Sequence, residues 1–235
     1  GYIATHGTHP ALQKLRYDPL ADFSPIGLIG NSPTILVVPT ELPVTDVAGL
    51  VRLLRGSTPH LSYASAGEGT VPHFAAELFQ LQTGTRLNRL EFAGAAPAIA
   101  EVAHGAVQLM FPSAFTALPY LRSGKLKALA VAGSERLSFL PEVPTLIEAG
   151  VPGVEMSQWY ALFAPSKTPA SVVRQLNAAL NNTLRDPDIA ARMEAAGAHI
   201  QPSTPGELHD LLMIESERWQ RVVLQAGLQP ATALE

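Results

Sequence analysis

Short apolar runs, separated by polar stretches rich in glycine and proline, set the pattern of this 235-residue chain. The runs at 26–29, 34–38, 61–64, 107–111, 126–132 and 159–164 have the length of strands. Between them apolar residues recur at helical spacing, as Val47, Leu50, Val51 and Leu54, then Phe74, Leu78 and Leu81. Further helical stretches lie at 97–104, 114–121 and 172–184. The 20 prolines and 18 glycines fall mostly between these elements rather than inside them. Strands alternating with helices predict βαβ units and a mainly parallel sheet, hence an α/β fold.

The pattern changes past Pro165. Helices are expected at 169–185, 187–196 and 205–226, with one short strand at 199–201. Thr168-Pro169 and Asp186-Pro187 each place a capping side chain ahead of a proline suited to the first helical position. Thr204-Pro-Gly-Glu207 and Thr145-Leu-Ile-Glu148 have the spacing of capping boxes. Near the start, residues 2–4 read as a first strand. These shifts predict two lobes. Residues 39–160 make one complete α/β set, and 1–38 must join 161–235 in a discontinuous lobe, with chain crossings near 37–39 and 159–161.

Composition narrows the class. Hydrophobic residues make up 47% and charged residues 15%, which excludes intrinsic disorder. Sixteen Lys and Arg against twenty Asp and Glu give a net charge of −4, so no broad basic face for nucleic acid is expected. The absence of cysteine removes disulfides, thiol nucleophiles and cysteine metal sites. No apolar run approaches the ~18–20 residues of a membrane span. The chain opens at Gly1 with no basic, then apolar, leader behind it. A targeting peptide is thus expected to have been removed, or the chain to begin inside a longer protein. Leu234-Glu235 reads as a vector-derived scar.

The segment most able to carry chemistry is Leu61-Ser-Tyr-Ala-Ser-Ala-Gly-Glu-Gly-Thr70, followed by an amphipathic helix. Ligands of α/β sheets bind beyond the carboxyl ends of strands. Here Ser65, Ala66, Gly67, Gly69 and Thr70 would present backbone N–H groups and hydroxyls at a helix N-terminus, a setting that favours an anion. A plain tight turn capped by Thr70 fits the same residues. The segment lacks the Gly-Lys-Ser/Thr ending of a P-loop and the full dinucleotide fingerprint, so a carboxylate suits it better than a nucleotide. Thr5, His6, Thr8 and His9 fall at the end of the expected first strand and read as polar lining. Two histidines with no nearby acid or thiol make no metal site, and no metal or cofactor is expected. No Gly-x-Ser-x-Gly elbow, cysteine nucleophile or paired acid and base stands out, so catalysis is not expected. Among the aromatics, Trp159, Tyr160 and Phe115 are placed to face a cleft, with core packing at least an equal reading for Trp159, whereas Trp219 belongs to helix packing.

Taken in order, these pieces resemble the tripartite tricarboxylate transporter substrate-binding receptors, also called Bug proteins. The resemblance rests on Tyr17-Asp-Pro-Leu-Ala-Asp-Phe-Ser-Pro-Ile26, Leu36-Val-Val-Pro39 and the 61–70 segment with His73 and Glu77. It continues through Gly105-Ala-Val-Gln-Leu-Met-Phe111, Gly124-Lys-Leu-Lys-Ala-Leu-Ala-Val131, Leu140-Pro-Glu-Val-Pro-Thr-Leu-Ile-Glu-Ala-Gly150, and Ala164-Pro165 before Thr168-Pro169. It implies a two-lobe periplasmic binding protein of type II-like fold that traps a small carboxylated solute and delivers it to membrane permease subunits. The family's carboxylate loop of the second lobe matches Ser65, Ala66, Gly67, Gly69 and Thr70; the first-lobe strand end corresponds to Thr5, His6, Thr8 and His9.

The chain also departs from the family. The family region ahead of Gly1 is missing, so the first lobe is expected to be truncated. An Ala-x-Asn is missing between His9 and Pro10, a common Phe-Asp is Phe111-Pro112, and a Tyr-Lys-Gly is Phe92-Ala93-Gly94. These departures imply an altered contact set. The truncation implies an exposed sheet edge and a homodimer that rebuilds the lobe. A ligand-sensing or protein-interaction module derived from the same fold is the alternative function.

Overall fold

The computed structural model describes residues 1–225 together with Gly227 and Leu228; Leu234-Glu235 and the last position of the helix expected at 205–226 lie outside them. The chain divides into two compact units. Unit 2 is Pro33–Ser157, and unit 1 joins Gly1–Ser32 to the chain from Gln158 onward.

Unit 2 carries strands β2 (Ile35–Pro39), β3 (Ser62–Ser65), β4 (Asn88–Glu91), β5 (Leu109–Met110) and β6 (Leu126–Val131). Its helices are α2 (Val47–Gly56), α3 (Val71–Thr83), α4 (Ala95–Ala103) and α5 (Ala114–Arg122). The sheet order is β4-β3-β5-β2-β6. β3 runs parallel to both β4 and β5, while β2 runs antiparallel to β5 and β6. Four strands therefore share one direction and β2 alone opposes them. The expected mainly parallel sheet is thus a mixed one in unit 2. β2 leads through α2 into β3, which runs the opposite way, so that helical connection is not a parallel crossover and β2 pairs antiparallel on both of its edges.

Ile35, Leu36, Val37 and Val38 are all fully buried, as a strand with neighbours on both edges and cover on both faces requires. Around Ile35 and Val37 pack Ala64, Ile99, Val102, Val107, Met110, Ala117 and Val131. Each large apolar side chain in this core contributes about 1.5–3 kcal/mol of transfer free energy. In α2 the buried residues are Val47, Leu50 and Leu54, and the Asp46 carboxylate accepts the Gly49 N–H at 2.6 Å. The same capping logic places the Ser113 hydroxyl at the start of α5, accepting from Thr116 N–H.

Unit 1 is built on β1 (Phe23–Pro33), β7 (Ser157–Pro165) and β8 (His199–Ile200), in the order β7-β1-β8. β1 and β8 pair antiparallel, Gly30 opposite Ile200. The helices are α1 (His9–Leu12), α6 (Ala170–Leu184), α7 (Pro187–Ala195) and α8 (Pro205–Gln225). The Asn177 amide donates to the carbonyls of Ile26 and Ser203, and Ser203 Oγ accepts from Leu28 N–H, tying α6 and the 203 turn to β1. Val172 and Leu176 of α6, and Met213 and Ile214 of α8, remain exposed.

Local chemistry overturns three expectations. Residues 2–4 are not a strand: Tyr2 makes one bridge to Tyr160, and Ala4–Thr8 forms a π-helical turn that runs into α1. Thr5 Oγ1 accepts from Tyr2 N–H at 3.1 Å and donates to Tyr2 C=O at 3.0 Å, so a side chain takes the backbone partners that a strand would have used. Thr168 does not cap α6; Pro169 takes the cap position without a side-chain bond, and its carbonyl accepts from Val172 and Val173. The Thr145 and Glu148 bonds form reciprocally, at 2.7 and 3.0 Å, but around an isolated turn rather than a helix start. At Thr204 and Glu207 the same pattern does open a helix, α8.

Candidate functional site

In unit 2 the sheet ends at Ser65, whose carbonyl accepts from Phe92 N–H at 2.9 Å. The chain then turns through Gly67 and Gly69 at φ +121° and +74° and enters α3 with Thr70 at its N-cap position and Pro72 in its first turn. A Cβ on Gly67 would meet only the Thr70 methyl at 3.8 Å. Backbone conformation, not lack of space, calls for glycine there.

The turn is held by one crowded carbonyl. Gly67 C=O accepts from Ser65 Oγ at 3.1 Å, from Thr70 Oγ1 at 2.7 Å and from Thr70 N–H at 3.3 Å. Gly67 N–H donates to Ser65 Oγ at 3.2 Å. Three donors share an oxygen with two lone pairs, so one hydroxyl can rotate to an outside oxygen and leave the carbonyl satisfied. Ser65 and Thr70 are both buried.

One turn into α3, His73 Nδ1 accepts from Gly69 N–H at 3.1 Å, and its Nε2 lies 3.0 Å from the Arg89 guanidinium on β4. Burial, assisted by the Arg89 charge, lowers the His73 pKa to about 4, so the ring is neutral at pH 7. A neutral imidazole offers these two donors a single lone pair. Tyr63 donates to Glu77 at 2.7 Å beneath the turn, and burial raises its pKa above the usual phenol value. His73 and Arg89 were not among the expected site residues. Only the four-residue spacing of Gly69 and His73, one helical turn, signals their link.

In unit 1, Thr5, His6 and Thr8 lie in the π-helical turn and His9 opens α1. The His6 ring stacks on Phe163 at 4.0 Å between centroids and meets the edge of Phe23 at 5.1 Å. His6 Nδ1 lies 2.8 Å from Thr5 Oγ1, while buried Nε2 has no hydrogen-bond partner. Burial lowers the His6 pKa to about 4. Trp159 is buried in β7 and donates its indole N–H to Glu215 Oε2 at 3.2 Å. Phe115, at the start of α5, is exposed. The structure thus gathers Ser65, Ala66, Gly67, Gly69 and Thr70 into one turn of unit 2, and Thr5, His6, Thr8 and His9 into one helical turn of unit 1. Among the described residues no group of three or more His, Asp or Glu side chains converges as a metal site, and no helix is long and apolar enough to cross a membrane.

Unit 2 thus presents hydroxyls and helix N-terminal amides at a strand-to-helix turn, on an α/β fold of two units. The chain is a member of the tripartite tricarboxylate transporter family receptors, whose family model matches residues 2–228. It is 34% identical over 92% of its length to the "UPF0065 protein in tcbD-tcbE intergenic region" of Pseudomonas sp., and spans 64% of that relative. Among solved structures, R. palustris Rpa4515 with adipate is 32% identical with a TM-score of 0.92, covering 97% of this chain and 76% of that one. MatC (Rpa3494) from Rhodopseudomonas palustris with bound malate is 35% identical with a TM-score of 0.89, covering 95% and 77%.

Proposed function

We propose that this chain serves a periplasmic receptor that binds a small carboxylated metabolite and passes it, without catalysis, to the permease subunits of a tripartite tricarboxylate-type transporter. The observation that carries the reading is the overloaded Gly67 carbonyl, which leaves the Ser65 and Thr70 hydroxyls able to turn to a carboxylate beside the α3 N-terminus. Helix N-termini favour such anions through their orphan N–H groups and dipole. The structural relatives solved with adipate and malate point to the same ligand class. On this reading Ala66, Gly67 and Gly69 shape the turn, while Thr5, His6, Thr8, His9 and Trp159 are the contribution of unit 1.

Calorimetry with malate and adipate tests it. Ser65→Ala and Thr70→Val are each expected to weaken binding by about 1.5–3 kcal/mol, the range for a hydrogen bond to a charged group. Unchanged affinity in both variants removes the turn from the site. We also propose that unit 1 self-associates through the apolar side chains exposed on α6 and α8, Val172, Leu176, Met213 and Ile214. Sedimentation at micromolar concentration should show a dimer; a monomer rejects it.

A further inference from the structure

Along α8 the inward stripe reads Leu208, Leu212, Glu215, Trp219 and Val223, all buried. Four positions suit a core and one is an acid. Glu215 is only 5% exposed, and three N–H donors meet it: Trp219 Nε1 at 2.8 Å and Trp159 Nε1 at 3.2 Å, both on Oε2, and Arg218 Nη1 at 3.3 Å on Oε1. A buried carboxylate is costly unless hydrogen-bonded in this way. An apolar residue would have filled the stripe at lower desolvation cost, so the shape of the network calls for a separate explanation.

The two indoles supply one. Trp159 belongs to β7, and Trp219 packs on the Ala4–Thr8 turn so closely that a Cβ on Gly7 would lie 3.1 Å from its Cδ1 and 3.3 Å from its Nε1. We infer that Glu215 is a positioning residue: its carboxylate holds Trp159 and, through Trp219 against Gly7, the turn bearing Thr5, His6 and Thr8. One oxygen accepts both indole N–H groups, so the two rings are fixed in a common frame rather than separately. The consequence for binding rests on the carboxylate-receptor reading; the geometric claim does not.

The chain has two tryptophans, so its indole Nε1–H signals in a ¹⁵N spectrum report on this site alone. In Glu215→Gln both signals are expected to shift and to exchange faster with solvent, whereas Glu217→Gln moves neither. In Trp159→Phe, which keeps an aromatic ring but deletes one donor, the remaining Trp219 signal is expected to shift because it then holds Oε2 unshared. That second variant decides the matter if Glu215→Gln does not fold. For malate and adipate, Glu215→Gln should weaken binding roughly tenfold, corresponding to one hydrogen bond lost indirectly. The same substitution placed on Trp159→Phe should cost less, because only the Trp219 arm is then left to lose. Indole signals that stay in place, or an equal loss of affinity in both backgrounds, overturn the inference. If the native protein ignores both acids, the receptor reading fails, and the indole signals alone decide the role of Glu215.

Discussion

A glycine at φ +121° and another at φ +74°, two residues apart, let the chain leave β3 and enter α3 at once. Alanine at either position forces a side chain into backbone space that costs about 1–3 kcal/mol. Gly67→Ala is therefore expected to lower the urea midpoint and, by shifting the Gly67 carbonyl, to weaken dicarboxylate binding; native-like values for both would contradict the turn geometry. The neighbouring His73 gives a pH signature. Its folded pKa is about 4 against an ordinary 6.5, and His6 behaves alike. Between those values the unfolded chain holds protons that the native protein does not, so stability is complete above pH 6.5 and falls as pH drops toward 4. The loss per histidine is on the order of 2 kcal/mol by pH 5. Urea unfolding at pH 7 and pH 5 measures it, and His73→Gln should flatten part of the slope. Glu148 and Glu207 act in a separate window. Hydrogen bonds from Arg136 to Glu148 and from Thr204 to Glu207 hold their pKa values below 4.5, so their stabilisation is lost only at lower pH. At this scale the glycine turn was legible in the sequence because small residues between a strand and an amphipathic helix have few other uses. Glu215 was not, since a single acid in an apolar stripe gives no sign of which donors will meet it.

At the scale of elements, periodicity located what packing reinforces. The Val47, Leu50 and Leu54 stripe became the buried face of α2, and the continuous apolar run at 34–38 became β2. β4 carries no apolar pattern, since Asn88, Arg89, Leu90 and Glu91 are all exposed; its place is fixed by backbone pairing to β3. The expected strand at 2–4 failed for the opposite reason, a local Thr5 side chain outcompeting a long-range ladder. Capping chemistry does not by itself set the extent of an element, since the Thr145 and Glu148 bonds close a turn that no helix continues. Where a helix does follow, the cap should matter. Asp46→Ala is expected to cost about 1 kcal/mol, seen as a lower midpoint with an unchanged urea slope; no loss would mean that tertiary packing alone fixes the start of α2.

For the whole molecule, the order of short motifs was the most informative signal, since each is modest alone while their succession marks the receptor family to which the chain belongs. What the order could not convey is the direction of β2, because a strand–helix–strand succession such as β2–α2–β3 fits parallel and antiparallel placement alike. The central claim is that the turn from Ser65 to Thr70 holds a carboxylate, and ligand-induced stabilisation tests it most directly. Thermal unfolding of the chain with malate and with adipate should show a rise in midpoint, equivalent to about 2.7 kcal/mol at a hundredfold excess over Kd. That rise should shrink in Ser65→Ala and Thr70→Val. A midpoint that neither acid moves, at millimolar concentration, would contradict the account.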